Sequence, residues 1–90
     1  MYQQKRTEIE ERSYQQARNA IEMRYVHALA HPGERLLTAD WLTRQCVRHA
    51  QTAMHALVAK REATAVAGLA LASLSSTYAG YLVQNVAGMA

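Results

Sequence analysis

The stretch HPGERLLTAD, residues 31–40, separates two long segments rich in helix-forming residues. Proline disfavours the helical conformation in the residue before it, and Pro-Gly suits the two central positions of a type II turn. Beyond the turn, Thr38 can cap a new helix, and Asp40 favours the positive end of its dipole. The pattern predicts a helix that ends at about residue 30, a turn over 31–37 and a second helix that begins at about residue 39.

Residues 2–30, before the turn, carry apolar side chains at helical spacing. Ala17, Ile21 and Ala28 fall on one arc at 3.6 residues per turn. Arg18 and Glu22 lie four residues apart, which positions them for an ion pair on the helix surface. We therefore predict that helix one spans about residues 2–30.

Residues 39–88, after the turn, contain no comparable stop signal. The segment KREATAVA, residues 60–67, consists of good helix formers, and Gly68 is the first weak position. A continuous helix of this length is about 70 Å long, so helix one cannot cover it. We predict an all-α chain of one domain, residues 1–90, arranged as a helical hairpin with a long second helix. The alternative is a three-helix bundle with a break near Gly68.

The C-terminal arm, residues 63–90, contains no charged residue, although the whole chain has ten Lys or Arg and seven Asp or Glu. Small residues recur there at every fourth position, which lets another helix approach closely. Large side chains cover much of the opposite side, and a helix without a charged face has to be buried. We predict that the arm associates with a second copy of the chain or with a partner helix. The predicted interface residues are Gly68, Leu71, Ala72, Leu74, Ser76, Tyr78, Gly80, Tyr81 and Leu82.

The sequence contains no phosphate-binding glycine loop, nucleophile elbow or paired CxxC motif. We therefore predict no catalytic residue, no cofactor and no enzymatic activity. One constellation, His27 and His31 with Cys46 and His49, has helical spacings that can chelate zinc. Cys46 lies on the apolar face of its helix, where a free cysteine is often a small core residue, so we predict packing and no metal site.

These observations predict a small, non-enzymatic interaction or assembly protein of coiled-coil character, acting as an oligomer subunit, adaptor or chaperone. A cytoplasmic location is expected because the N-terminus lacks an apolar stretch of signal-peptide type. One alternative is a tail-anchored membrane protein that inserts residues 64–89, a stretch long enough to span and preceded by Lys60 and Arg61. Another is a small DNA-binding regulator, but a net charge of +3 with interleaved acidic residues argues against nucleic acid.

Overall fold

A computed structural model of the chain describes residues 7–89. Within this range, α1 spans Glu8–Ala30, a short 3-10 helix spans Pro32–Glu34, α2 spans Arg35–Val58 and α3 spans Glu62–Met89. No strand occurs among these residues, and the predicted all-α fold is confirmed.

The start of α1 is defined by a capping box between Thr7 and Glu10. The Glu10 backbone N–H donates to Thr7 Oγ1, and the Thr7 backbone N–H donates to Glu10 Oε1, both at 3.1 Å. This reciprocal pair satisfies N–H groups that a helix start otherwise leaves without a partner. Residues 2–6 of the predicted first helix lie outside the described residues.

The turn between α1 and α2 differs from the predicted type II turn. Gly33 does not use the positive φ that such a turn requires, because Pro32–Glu34 form a 3-10 helix that runs directly into α2. α2 therefore begins at Arg35, four residues before the predicted start. Thr38 lies inside the helix and does not cap it.

Arg35 stabilises this turn by reaching back to the end of α1. Its Nε donates to the Ala28 carbonyl oxygen at 3.1 Å, and its Nη2 donates to the Leu29 carbonyl oxygen at 2.7 Å. Carbonyl groups in the last turn of a helix have no partner within the helix, so the guanidinium acts as a C-terminal cap.

The structure corrects the prediction of one continuous helix over residues 39–88. The chain leaves the helical path at residues 59–61, several residues before Gly68, and Lys60 adopts a left-handed conformation with φ of 58°. The Lys60 N–H donates to the Leu57 carbonyl oxygen at 3.0 Å, and the Arg61 N–H donates to the Ala56 carbonyl oxygen at 2.7 Å. These two bonds form a Schellman motif, which ends α2.

Burial of α3 explains why the chain reverses at a point where its local sequence favours helix. The left-handed conformation costs Lys60 about 1–2 kcal/mol. The reversal brings Leu71 and Leu82 into the core, where each buried side chain contributes about 1.5–3 kcal/mol. Tertiary burial therefore outweighs the local preference for a continuous helix.

The substitution Lys60→Gly tests this break by the sign of its effect. Glycine adopts the left-handed conformation without the steric cost, although it loses more entropy on folding, so the free energy of unfolding should rise by about 0.5–1 kcal/mol. In an uninterrupted helix the same change should lower it by a similar amount, about 0.5–1 kcal/mol. Urea unfolding followed by circular dichroism separates the two outcomes.

α1 runs parallel to α3 and antiparallel to α2. Near the start of both parallel helices, the Thr64 hydroxyl donates to Glu10 Oε2 at 2.8 Å. Further along, the ring of Tyr25 stacks on that of Tyr78 with centroids 4.2 Å apart. These contacts attach α1 to one side of the α2–α3 pair and leave the other side uncovered.

The core between the helices is narrow. Ile21, Leu42 and Leu82 are its only fully buried large apolar side chains among the described residues, and alanine fills most of the rest. At Gly68 the helices meet so closely that an added Cβ would lie 2.9 Å from the His49 carbonyl oxygen. Small side chains thus allow α2 and α3 to pack tightly but supply little apolar burial.

Candidate interaction surface

The nine predicted interface residues divide between the interior of the chain and its surface. Four are buried within the chain itself: Gly68, Leu71, Ala72 and Leu82. Two are half-buried and three are exposed: Leu74 and Tyr78, then Ser76, Gly80 and Tyr81. In this fold only the exposed part of the predicted interface is open to a partner.

α2 carries an uncharged stripe on the side that α1 does not cover. Its members recur at alternating spacings of four and three residues, which keeps them on one side of a helix. They are Thr43, Val47, Ala50, Met54 and Leu57. The side chain of Val47 is 53% exposed, that of Met54 65% and that of Leu57 56%, so the stripe presents large apolar groups to solvent.

α3 carries a second uncharged stripe with the same alternating spacing. Its members are Leu69, Ser73, Ser76, Gly80 and Val83. Leu69 and Val83 are about half exposed, at 52% and 50%, while the positions between them are small. This spacing of apolar and small side chains is typical of a seam between packed helices.

The two stripes meet in a shallow groove between α2 and α3. The groove has a volume of about 330 Å³. Its walls are formed by Thr43, Cys46, Ser76, Ala79, Gly80 and Val83. We call the two stripes and this groove the uncharged face.

Charged side chains border the uncharged face without entering it. On the outer side of α2, Arg44 Nη2 lies 2.6 Å from Asp40 Oδ2, and both side chains are mostly exposed. The stripe and groove positions themselves contain no Asp, Glu, Lys or Arg. Because no ionised group has to be removed from water, the desolvation cost of covering this face is small.

A second concavity, of about 360 Å³, lies on the opposite side, between the first half of α1 and the α2–α3 pair. Its lining differs from the uncharged face because it includes Glu10, Arg48, His49 and Arg61.

Burial, together with the positive charge of Arg48, lowers the pKa of His49. The pKa of Glu10 is also lowered, chiefly because its carboxylate accepts the hydrogen bond from the Thr7 backbone N–H and also that from the Thr64 hydroxyl.

The depressed pKa of His49 predicts a loss of stability in mild acid. The unfolded chain takes up a proton at His49 near the ordinary pKa of about 6.5, whereas the folded chain keeps this imidazole neutral to lower pH. The unfolded state therefore binds more protons below that pH, and the free energy of unfolding falls. Urea unfolding at pH 7.5 and pH 5.5 should show a smaller decrease in His49→Gln than in the wild type. An equal decrease in both would contradict the burial of His49.

The four residues considered for zinc are not brought together. Cys46 lines the groove of the uncharged face, while His49 lines the concavity on the opposite side. His27 and His31 lie at the turn between α1 and α2, where they approach Glu34. Glu34 is not among the predicted ligands because its approach to His27 depends on the 3-10 helix Pro32–Glu34, where the sequence predicts a turn.

α3 also has the length and composition of a membrane-spanning helix. Over Glu62–Gly88 its mean hydropathy reaches 1.4, and 33% of the most apolar window is buried inside the chain. The core helix of a soluble protein can have the same length and hydropathy.

Comparison with known proteins gives no match to a family model, to a curated protein or to a solved structure.

Proposed function

We propose that this chain is a non-enzymatic assembly protein that associates with a second copy of itself through the uncharged face. The observation that carries the proposal is the distribution of its large apolar side chains. Fourteen of them are exposed among the described residues, whereas three are fully buried. Scattered exposed apolar residues are ordinary, but a contiguous apolar patch marks an interaction site.

Five of those exposed side chains belong to the uncharged face, and the other nine lie elsewhere on the surface; the five are Val47, Met54, Leu57, Leu69 and Val83. Covering them supplies the apolar burial that the narrow core lacks. A small helical chain with such a core commonly obtains further stability from association.

Self-association fits the shape of the face. Large side chains stand along both stripes, and Ser76 and Gly80 leave space between them; a Cβ added at Gly80 meets no atom within 4 Å. A two-fold rotation about an axis parallel to the helices would place α2 of each copy against α3 of the other, so the stripe with three large side chains would face the stripe with three small residues. The product is an antiparallel arrangement of four packed helices, two from each copy. A helix of another protein, as in an adaptor or chaperone, is the alternative occupant.

Sedimentation equilibrium tests the proposal at this level. The chain has a mass of 10.0 kDa, so a dimer of two such chains has a mass of twice that value. We expect the weight-average mass to rise from the monomer value toward the dimer value as the concentration is raised through the micromolar range. A monomer mass at every concentration would contradict self-association.

Membrane association through α3 is the second candidate, supported by the length and hydropathy of Glu62–Gly88. It requires α3 to leave its contacts with α1 and α2, whereas self-association in the cytoplasm retains them. Flotation with lipid vesicles distinguishes the two. Recovery of the chain with vesicles of neutral lipid, in the absence of detergent, would favour the membrane function.

A further inference from the structure

Three potential metal ligands converge at the turn between α1 and α2. One ligand atom from each of His27, His31 and Glu34 lies within 4.8 Å of the others, and all three residues are exposed. His27 Nε2 lies 2.8 Å from Glu34 Oε2. The imidazole rings of His27 and His31 stack with centroids 3.9 Å apart and planes inclined by 15°. Two parallel rings and a carboxylate therefore present nitrogen and oxygen atoms to the same small region.

A backbone hydrogen bond prepares His31 for coordination. His31 Nδ1 lies 2.8 Å from the His27 carbonyl oxygen, which can only accept, so Nδ1 carries the proton. In the neutral ring the lone pair then lies on Nε2. Histidine ligands of metals commonly donate their other ring N–H to a backbone carbonyl or a carboxylate in this way, which holds the ring in position.

The geometry points to a binding site for a divalent transition metal such as zinc, and we propose that His27 Nε2, His31 Nε2 and a carboxylate oxygen of Glu34 are its ligands. In a tetrahedral zinc site with bonds of about 2.0–2.1 Å, neighbouring ligand atoms are about 3.3 Å apart. The separation of His27 Nε2 and Glu34 Oε2, 2.8 Å, is close to that value. Because the two stacked rings are nearly parallel, the exposed His27 ring would also have to tilt away from the His31 ring so that both Nε2 lone pairs face one ion.

In the neutral ring of His27, the single proton that Nε2 donates to Glu34 Oε2 would move to Nδ1 when the metal binds, which frees the Nε2 lone pair and the carboxylate oxygen for the metal. Imidazole and carboxylate suit zinc among the divalent metals. Three protein ligands leave one position of the tetrahedron for water. Beside the site lies a depression lined by Met23, Arg24, His27, Glu34 and Thr38, which provides room for that position.

Such a site would join the last turn of α1 to the residue that precedes α2. His27 lies in the last turn of α1, and Glu34 is the residue before Arg35. A metal bound there stabilises the folded state by mass action, since the unfolded chain does not hold the three ligands together. This site is remote from the groove at Cys46, and the proposal does not depend on self-association.

Calorimetric titration of the metal-free chain with Zn²⁺ tests the proposal. The protein is prepared without a histidine tag. The test variants are His31→Ala and Glu34→Gln. The control is His55→Ala, which removes an exposed histidine of α2 that is remote from the proposed site. We expect one zinc per chain in the wild type. Loss of a ligand should weaken binding at least about tenfold in the first two variants, because even the loss of a residue that only holds a ligand in place commonly costs that much. The control should bind as the wild type does.

Spectra of the imidazole nitrogens provide a readout that does not depend on the fold of a variant. In the wild type, zinc should shift the Nε2 resonances of His27 and His31 and leave those of His55 unchanged. Absence of binding in the wild type would overturn the proposal. So would binding that persists in His31→Ala, or zinc-dependent shifts confined to His49 and His55.

Discussion

Replacing Gly68 by leucine should separate α2 from α3 and lower the free energy of unfolding by about 3 kcal/mol or more. A Cβ at this position would already lie 2.9 Å from the His49 carbonyl oxygen and 3.0 Å from the Ala53 Cβ. Neither atom is the end of a flexible side chain, so the helices themselves have to move. For a domain whose total stability is about 5–15 kcal/mol, such a loss shifts the urea midpoint strongly.

Gly88→Ala is the matched control for this prediction, since it replaces a glycine of the same helix that lies outside the uncharged face. A Cβ at Gly88 meets nothing within 4 Å, so the change should stabilise α3 by at most about 1 kcal/mol through helix propensity. Both variants are measured by urea unfolding. A Gly68→Leu variant as stable as the wild type would show that α2 and α3 do not meet at this point.

Replacing Val83 by glutamate should dissociate the dimer without unfolding the chain. Val83 lies on the uncharged face and is about half exposed in the single chain, so the carboxylate is tolerated there. In the dimer, the introduced carboxylate of each copy would be buried without a positively charged partner. An uncompensated buried charge costs about 3–5 kcal/mol, which corresponds to association weakened at least about a hundredfold. Sedimentation equilibrium should then give the monomer mass, while circular dichroism remains that of the wild type.

Thr77→Glu is the control for the change at Val83. Thr77 is exposed on α3 but lies outside both stripes, so a charge there should leave the dimer intact. The pair also separates the two functional candidates. A membrane-spanning α3 tolerates neither charge, because either one would have to enter the hydrocarbon. Equal loss of association in both variants would therefore contradict the uncharged face as the interface.

Local sequence signals predicted the elements that depend on local chemistry. Helix one ends where Pro32 enforces an end, and the predicted pair of Arg18 and Glu22 forms with Nε and Oε1 2.9 Å apart. The all-α fold follows from a composition dominated by helix formers. These features depend on residues within one or two turns of each other, which a sequence displays directly.

The reversal at Lys60 could not be predicted in this way because its cause is distant in sequence. Residues 59–61 carry neither glycine nor proline, and their intrinsic preference is helical. The break forms because Leu71 and Leu82 reach a core made by α1 and α2. The turn lies there because the burial of these two leucines outweighs the conformational cost at Lys60.

Four of the nine predicted interface residues are buried in the core because residues spaced four apart do not stay on one side of a helix. Each step of four residues advances about 400°, so a row of small residues moves about 40° per step relative to the helix surface. Over three steps, from Gly68 to Gly80, the row passes from the buried side to the exposed side. The alternating four-and-three spacing of the two stripes stays on one side, and it is visible in the sequence over residues 43–57 and 69–83.

The most direct test of self-association through the uncharged face is an isotope-filtered nuclear Overhauser experiment on an equimolar mixture of ¹³C-labelled and unlabelled chain. It detects only contacts between different copies. We predict intermolecular contacts from the methyl groups of Val47, Met54, Leu69 and Val83. Intermolecular contacts confined to α1, for example at Met23 and Val26, or none at millimolar concentration, would contradict the proposed interface.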